Sequence, residues 1–392
     1  MLTQQNELKY LRLLFFLFGF LIMAWLPRFA EVKANLGLSN GEFGSLISTA
    51  AVGSLISLIS VGHLVHKYGV KVVLQLASLA LALSMITLVN TKSTLIFLIV
   101  NIGLGAAISA FHISINSQGF SFQDRRKQSV IVHLSGVWSS GALATSVVAG
   151  LLVDRISLAL HITILSVVVF FTLIYVINTM TPSLIRANEN PETDYKFSDI
   201  FRGFEVDVIV SAGLICSLML EFSVGDWASI FVKEDMKIAG GLNTLPYILF
   251  TLAMITGRLN VHLLFRKYSI EKLAILGAVT AGIAFLVSIF SVQVIGTDNE
   301  VAVIIILSFG FTVAGVGSSF LGPSFMSAAN SRSKHPSAVV IGQIGVTNTI
   351  LVFVMRWVIA WTAELTSLTF ALAIPALMLL TVPFYLKVFK KL

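Results

Sequence analysis

Charged side chains are scarce in this sequence. Only 11% of the 392 residues are Asp, Glu, Lys or Arg, whereas 56% are hydrophobic and the mean hydropathy is +0.92. A soluble domain carries about 25% charged residues, so these few charges cannot cover a surface that faces water. The composition excludes an ordinary soluble domain and indicates a chain whose surface mostly faces lipid.

Cysteine and the motifs of soluble enzymes are also missing or rare. Cys216 is the single cysteine, so the chain forms no internal disulfide. The sequence has no Gly-x-x-x-x-Gly-Lys-Ser/Thr phosphate loop and no His-Glu-x-x-His zinc motif, and it lacks a Gly-x-Ser-x-Gly nucleophile elbow. We therefore expect a protein that is not an enzyme, with no catalytic residues, no metal site and no cofactor.

The charges that are present are mostly basic, and the net charge is +7. Basic chains often bind nucleic acid, but here the basic residues lie in short segments between apolar runs, which is how membrane topology is encoded. If both termini are cytoplasmic, 18 Lys and Arg fall in inner segments, 6 in outer segments and 2 within helices. This bias predicts a multi-pass protein of the inner or plasma membrane, with cytoplasmic termini, an even number of spans and no nucleic-acid partner.

Long apolar runs dominate the chain. A helix needs about 20 mostly apolar residues to cross a bilayer, and these runs are too long and too uniform for barrel strands. The predicted fold is an all-α membrane protein with twelve transmembrane helices. The runs place them at 10–30, 43–64, 71–90, 93–117, 129–152, 157–178, 206–232, 242–264, 272–294, 301–327, 338–362 and 367–388.

One long polar segment divides these spans six and six. We expect an N-terminal six-helix bundle over 1–178, a cytoplasmic central loop over 179–205 and a C-terminal six-helix bundle over 206–392. A weak internal repeat fits this division, because His66-Lys67-Tyr68-Gly69 recurs as Arg266-Lys267-Tyr268-Ser269, 200 residues later. Matching basic turns at matching places in two halves indicate duplication.

The segment from Gly62 to Lys71 resembles the cytoplasmic loop signature of the major facilitator superfamily. The positions that match the signature are Gly62, Lys67, Gly69 and Lys71. The segment departs from it at His66, where the family usually has an Asp that joins a charge-paired latch, and at Val70, where a base is usual. With a His at position 66, the latch lacks its usual carboxylate.

Further segments resemble the YbjJ-type, sugar-permease-like branch of that family. They lie at 24–29, 38–44, 115–118, 133–139, 221–227 and 322–329. The resemblance implies the major facilitator fold, in which two six-helix bundles rock about a central site and expose it to each side in turn. It also implies a sugar or related metabolite as the solute. In that branch the position of His112 is often acidic.

Ionisable residues inside the apolar runs are candidates for function, because a charge at the bilayer centre costs at least ~2.5–3.5 kcal/mol. Glu221 lies near the middle of the seventh span. A buried carboxyl favours its protonated form, so Glu221 is a candidate proton carrier or ligand of a polar substrate. The alternative is a structural carboxyl that is hydrogen-bonded within the bundle.

Three more charged residues lie within spans. Asp226 and Arg356 fall at similar depths in the seventh and eleventh spans, and we expect either a structural or gating ion pair or two separately hydrated residues. Arg258 lies toward the cytoplasmic end of the eighth span. It either extends its side chain to the interface or acts as a counter-ion for Glu221 or an anionic substrate.

Two histidines occupy similar depths in consecutive antiparallel helices. His112 and His133 are candidates for proton coupling, because imidazole titrates near neutral pH. Two isolated imidazoles without supporting Cys or carboxylate spacing do not make a metal site. The other interpretation is a pair of polar histidines with satisfied hydrogen bonds.

Uncharged polar and aromatic residues are the candidates for contact with the solute. They are Trp25, Asn101, Asn116, Gln343 and Asn348. Aromatic faces and amides suit a sugar-like solute. The alternatives are an interfacial aromatic belt for the tryptophan and helix–helix hydrogen bonds for the amides.

Together these features predict a secondary active transporter that carries a small polar organic solute by alternating access. We expect protons as the coupling ion, the lipid bilayer as the surroundings and a monomer as the working form. An efflux antiporter for amphipathic drugs and a membrane sensor that binds without transport are the alternatives.

Overall fold

The computed structural model describes residues 4–126, 130–187, 207–297, 299–332 and 337–391, and these residues form helices and turns without a strand. The expected all-α fold is confirmed. Most of the expected central loop 179–205, namely residues 188–205, lies outside the described residues.

The first part of the described chain holds seven α-helices. They are α1 Gln4–Ile22, α2 Phe29–Leu36, α3 Asn40–Ser48, α4 Ala50–Asn90, α5 Thr94–Arg126, α6 Ile131–Leu152 and α7 Leu158–Met180. Short 3-10 turns follow α1 and α7 at Leu26–Arg28 and Thr181–Ser183. The predicted first helix, 10–30, is therefore interrupted, and the break falls just before Pro27, which has no backbone N–H to donate.

The second part holds another seven α-helices among the described residues. They are α8 Val208–Ile230, α9 Leu245–Phe265, α10 Ile270–Ile295, α11 Glu300–Ser318, α12 Leu321–Arg332, α13 Ser337–Leu365 and α14 Leu368–Leu380. A π-turn, Phe231–Asp235, extends α8, and 3-10 segments lie at Gly240–Thr244 and Val382–Lys391. The predicted tenth helix, 301–327, is divided between α11 and α12.

Eleven stretches within the described residues are long and apolar enough to cross a membrane. One of them, Asn40–Asn90, has 51 residues. At 1.5 Å per residue it is more than twice as long as the ~30 Å hydrocarbon core. Gly69 interrupts it with φ 78° and ψ 160°, so two helical pieces meet there. The twelve predicted spans require this stretch to cross twice, and the twelfth span stays a prediction.

Contacts between residues group the chain into two compact units. Unit 1 comprises the described residues of 1–25, 46–148 and 155–202, and unit 2 those of 26–45, 149–154 and 203–392. Residues 26–45 therefore pack with the helices of the second part of the chain. The sequence predicts a division into two bundles at 179–205, and that division stays a prediction.

Helix α10 shows how a helix of unit 2 divides its faces. Leu276, Ile283, Val287 and Val294 are exposed, and their spacing places them on one stripe of the helix. The opposite face meets α11 backbone to backbone, since a Cβ on Gly277 would lie 2.5 Å from the Gly317 carbonyl oxygen. Small residues permit such close helix contacts in membranes, and the exposed apolar stripe is a surface suited to lipid.

Candidate transport site

Four of the five carboxylates from the start of α8 to the end of its π-turn are each paired with a base on another element of unit 2. The pairs are Asp207–Arg332, Glu221–Arg258, Asp226–Arg356 and Glu234–Lys33. At 1.5 Å per residue the row extends over roughly 40 Å, which exceeds the thickness of a bilayer core. Helix α8 therefore carries ionised groups at several membrane depths.

The Glu221–Arg258 pair lies at the middle of this row. Arg258 Nη2 donates a hydrogen bond of 2.7 Å to Glu221 Oε2. The side chains are 34% and 31% exposed, respectively. Charges that face hydrocarbon are expensive, so partial exposure at mid-span indicates a surface that water reaches. Arg258 is thus paired with Glu221 in the structure, and its role as a counter-ion in transport stays a prediction.

The Arg258 guanidinium also forms a hydrogen bond at the interruption between α11 and α12. Its Nε donates to the Ser319 carbonyl oxygen at 2.9 Å. Pro323 lies four residues after Ser319 and has no N–H, so it cannot complete the helical hydrogen bond to that carbonyl. Gly257 lets α9 approach this point, since a Cβ there would lie 2.8 Å from Ser319 Cβ. The interruption between α11 and α12 thus makes the Ser319 carbonyl available to Arg258, and this acceptor orients the guanidinium.

The Asp226–Arg356 pair lies roughly 7.5 Å further along α8. Arg356 Nη2 donates to Asp226 Oδ1 at 3.1 Å, and Nε lies 2.7 Å from Oδ2. The Asp226 side chain is only 4% exposed, whereas Arg356 is 23% exposed. The guanidinium carbon also lies 5.4 Å from the centre of the Phe222 ring, a distance that suits a cation–π contact.

The Asn101 side chain is buried and hydrogen-bonded within the protein. Its side-chain nitrogen lies 3.0 Å from the Leu46 carbonyl oxygen, 3.1 Å from that of Ile47 and 3.0 Å from Thr49 Oγ1. These acceptors lie where α3 ends and α4 begins, and Asn101 itself is 1% exposed. The amide therefore supports the break in the second span, and in this conformation it has no surface for a solute.

The other predicted solute contacts differ in their surroundings. Trp25 is buried and stacks on Phe97 at 6.4 Å, and Gln343 is also buried. The side-chain nitrogen of Asn116 donates within its own helix, to the His112 carbonyl. Half-buried Asn348 differs from the rest, because its buried side-chain oxygen has no hydrogen-bond partner among the described residues.

The two candidate histidines are exposed, and no hydrogen bond joins their rings in the described part of the chain. The ring of His112 lies 6.2 Å from that of Phe18. His133 lies in the first turn of α6.

The loop signature lies where the two pieces of α4 meet. Gly69 adopts a positive φ that only glycine accepts readily, and the amide of the next residue, Val70, donates to the Ile185 carbonyl at 3.1 Å. The Lys67 ammonium lies 5.2 Å from the centre of the Tyr68 ring. Of the remaining signature residues, Gly62 is exposed, while His66 and Lys71 are half-buried.

Sequence reasoning missed a group of contacts within unit 2 that we call the hairpin cluster: Lys33, Asn40, Gly41, Ser45, Glu234, Trp361 and Glu364. Lys33 Nζ donates to Asn40 Oδ1 and to Glu234 Oε2, both at 2.5 Å. The Lys33–Glu234 contact joins residues 26–45 to the π-turn that extends α8, although the two residues are 201 positions apart along the chain. Lys33 is buried despite its charge.

The rest of the hairpin cluster joins α3 to α13. The Gly41 amide donates to Glu364 Oε2 at 3.1 Å, and Trp361 Nε1 donates to Ser45 Oγ at 3.0 Å. Gly44 lies under Trp227, and a Cβ there would meet the indole at 2.8 Å. No local sequence pattern predicts these contacts, because they form between helices that are distant in the sequence and meet only when the protein folds.

Comparison with known proteins gives a family. A model of the Major Facilitator Superfamily matches residues 11–355. An uncharacterised MFS-type transporter of Yersinia pestis is 26% identical over 377 residues, which cover 95% of this chain and 92% of that protein. Membrane protein MosC of Rhizobium meliloti is 21% identical over 248 residues, covering 63% of this chain and 59% of that protein.

Solved structures share the fold at low sequence identity. A mutant form of the nucleoside transporter NupG aligns with a TM-score of 0.80 and 13% identity, covering 98% of this chain and 100% of that one. A D-xylose-proton symporter aligns with a TM-score of 0.74 and 14% identity, covering 100% and 98%. The YbjJ-type branch stays a prediction. Because the family model spans nearly the whole chain, this protein belongs to the major facilitator superfamily and is a multi-pass membrane transporter.

Proposed function

We propose that the protein is a proton-coupled symporter that moves a small polar organic solute, such as a sugar or related metabolite, by alternating access. The observation that carries the proposal is the Glu221–Arg258 pair, which combines ionised groups, mid-span depth and partial exposure. A nucleoside transporter and a D-xylose-proton symporter share the fold, which supports a small polar solute.

The pair offers a simple route to coupling. Ionised Glu221 holds Arg258 Nη2, whereas a proton on the carboxyl removes most of the electrostatic attraction. Arg258 Nη2 then becomes available to an oxygen of the solute, while its Nε stays on the Ser319 carbonyl. Proton binding and solute binding thereby favour one another, which is the thermodynamic basis of symport.

The solute itself needs further partners. Asn348 is the first of these, because a buried acceptor without a partner costs about 1–3 kcal/mol and a solute hydroxyl would satisfy it. Asn116, Gln343 and Trp25 stay proposed contacts in conformations that expose them. The proposed proton relay through His112 and His133 stays a proposal as well.

Alternating access also requires that the transport site is closed to one side of the membrane while it is open to the other. In the proposed orientation, with cytoplasmic termini and bundles at 1–178 and 206–392 joined by 179–205, residues 26–45 lie toward the outside. The hairpin cluster then closes the outer side of unit 2 through α8 and α13. Asp226–Arg356 is the proposed gating pair next to it, and these contacts must break when the site opens outward.

Transport in proteoliposomes tests the coupling proposal. A thermal-shift panel of pentoses, hexoses and nucleosides first identifies a bound solute, because a ligand of the native state raises the unfolding midpoint. Uptake of that solute is then measured with and without an inward proton gradient. Glu221→Gln should abolish accumulation driven by the gradient while leaving solute exchange across the membrane.

Asp207→Asn is the matched control, since it makes the same chemical change just before the start of the same helix, in a pair of similar exposure. It should keep gradient-driven accumulation. Full accumulation by Glu221→Gln would refute the coupling role. Protection of cells against cationic dyes would instead favour efflux, and saturable binding without flux would favour a sensor.

A further inference from the structure

The acidic residues inside the predicted spans are few enough to count. The six spans of the first part contain no Asp or Glu, and those of the second part contain Asp207, Glu221 and Asp226. Asp207 and Asp226 each pair with an arginine of their own, whereas Glu221 pairs with Arg258. The predicted spans therefore hold no further acid that could replace Glu221 as the partner of Arg258.

The elements that pack against α8 add no carboxylate beside Glu221. His262 lies one turn after Arg258 on α9, and its Nδ1 lies 2.8 Å from the Leu259 carbonyl oxygen. Helix α14 has no ionisable residue, and the two acids on α11 and α13 lie at helix ends, far from mid-span. The ionisable residues of α11, α12, α13 and the C-terminal 3-10 segment in the described chain include Glu300, Arg332, Arg356, Glu364, Tyr385 and Lys387.

The Arg258 guanidinium has one end that is committed and one end that can exchange its partner. Its Nε is held by the Ser319 carbonyl at 2.9 Å, and its Nη2 donates to Glu221. Within the described residues, Nη1 takes part in no hydrogen bond. Once Glu221 is released, Nη1 and Nη2 present two N–H groups side by side, a fork that matches the two oxygens of a carboxylate.

Charge balance selects the solute. The ionised Glu221–Arg258 pair is neutral as a whole, and a proton on Glu221 leaves a net charge of about +1 at mid-span. An uncompensated charge is expensive at this depth. A neutral solute leaves that charge in place, and a dianion such as a phosphate ester replaces it with a negative one. A monoanion cancels it.

Asn348 supplies an acceptor at a similar depth. Helices α8 and α13 are the seventh and eleventh predicted spans, so they cross the membrane in the same direction. Asn348 precedes Arg356 by eight residues and Glu221 precedes Asp226 by five, and because Asp226 and Arg356 are paired, Asn348 and Glu221 differ in depth by roughly 5 Å. Its buried side-chain oxygen, which has no partner among the described residues, suits a solute hydroxyl.

We propose that the solute is a hydroxylated monocarboxylate, such as a sugar acid, which binds together with the proton. The carboxylate binds Nη1 and Nη2 of Arg258 while the proton resides on Glu221, and a hydroxyl of the solute donates to Asn348. The assignment rests on the proposed function, because protonation of Glu221 creates the charge that the solute cancels. The proton and the anion then cross the membrane without net charge.

Matched pairs of acid and neutral sugar test the class of solute. The purified full chain is heated at pH 6 with D-glucuronate, D-galacturonate or D-gluconate, and with D-glucose, D-galactose or D-glucitol as the neutral counterparts. At least one acid should raise the unfolding midpoint, since a ligand of the native state does so, while its counterpart and sodium chloride should not. An equal shift with the counterpart or with chloride, or no shift with any acid, would overturn the proposal.

The pH dependence of binding tests the link to the proton. Because one proton is taken up with each anion, the Kd of the acid should rise by up to about tenfold per pH unit between pH 6 and pH 8, where Glu221 is ionised in the free protein. Glu221→Gln should bind the acid with no such slope, and the control Asp207→Asn should keep it. A flat profile in the wild type, or an unchanged slope in Glu221→Gln, would overturn the proposal.

Variants of Arg258 separate charge from folding. Arg258→Lys keeps the positive charge and should still prefer the acid to its neutral counterpart. The double variant Glu221→Gln/Arg258→Gln leaves no unpaired charge, so it should fold and should lose that preference. A preference for the acid that survives in the double variant would overturn the proposal.

Transport assays distinguish this proposal from the proposed function on which it rests. An inward proton gradient should drive uptake of the acid into proteoliposomes, and a membrane potential set by potassium and valinomycin should not change the rate. Gradient-driven accumulation of a neutral sugar, accelerated by a negative interior, would refute the acid and leave proton-coupled symport intact. Binding of the acid with the expected pH dependence, but without gradient-driven uptake, would refute the proposed function alone.

Discussion

Removing Arg356 should destabilise the protein through the carboxylate that it leaves behind. Asp226 is 4% exposed and lies in an apolar helix, with Arg356 as its only base within ion-pair distance among the described residues. Arg356→Gln therefore leaves a buried anion without a counter-ion. It also removes the contact between the guanidinium and the Phe222 ring.

The magnitude follows from burial. Breaking a fully buried pair from one side costs about 3–5 kcal/mol. Because Arg356 is 23% exposed, water screens part of the interaction, and we expect a loss of about 2–3 kcal/mol in the free energy of unfolding. The double variant Asp226→Asn/Arg356→Gln removes both charges and should recover most of this loss.

Unfolding in mixed micelles, followed by tryptophan fluorescence, measures these free energies. Arg332→Gln is the matched control, because its pair with Asp207 is about one-third exposed on both sides and should cost less than about 1 kcal/mol. The reasoning is refuted if Arg356→Gln costs no more than the control, or if the double variant shows no recovery.

Three other perturbations give distinct outcomes. Asn101→Leu leaves backbone carbonyls at the α3–α4 break without their donor and should lower unfolding free energy by about 1–3 kcal/mol; an unchanged value contradicts the supporting role. Gly69→Ala forces a side chain into a glycine-only conformation and should cost about 1–3 kcal/mol, whereas Gly62→Ala, with open space around it, should cost nothing. Lys33→Gln should speed labelling of a Ser45→Cys variant by an impermeant maleimide added outside, and equal rates would show that the hairpin cluster does not hold that side closed.

The helical architecture could be read from the sequence because hydropathy and length determine it. A bilayer requires about 20 apolar residues per helix, and the chain supplies them in separate runs. The positions where helices are interrupted are harder to predict. The stretch Asn40–Asn90 contains two predicted spans, and the helix continues from one to the other through a kink at Gly69. The sequence predicts a loop at the basic turn, whereas in the structure Gly69 produces a kink within a single helical stretch.

The internal repeat has a structural counterpart that the sequence alone did not reveal. Glu7, at the start of α1, pairs with Arg125 at the end of α5 in unit 1. In unit 2, Asp207 precedes α8 and pairs with Arg332 at the end of α12. Glu7 and Asp207 are 200 residues apart, the same offset as the two basic turns. Each unit thus has an acid–base contact at an equivalent place.

The partners of the candidate site were harder to predict than its members. Glu221, Asp226 and Arg356 stand out because ionised groups are rare in apolar runs. That Arg258 would turn to both Glu221 and the Ser319 carbonyl depends on where Pro323 breaks the helix. Such pairings arise from packing between helices, and a single sequence does not encode them in any local pattern.

Water access at residue 221 tests the central claim most directly. In a background with Cys216→Ser, Glu221→Cys should react with a membrane-impermeant, water-soluble thiol reagent, because its side chain lines a hydrated surface at mid-span. Ile283→Cys, at the middle of α10 on the exposed apolar stripe, should stay unreactive, since thiols in lipid do not ionise. Equal reactivity at the two positions, or none at 221, would contradict the account.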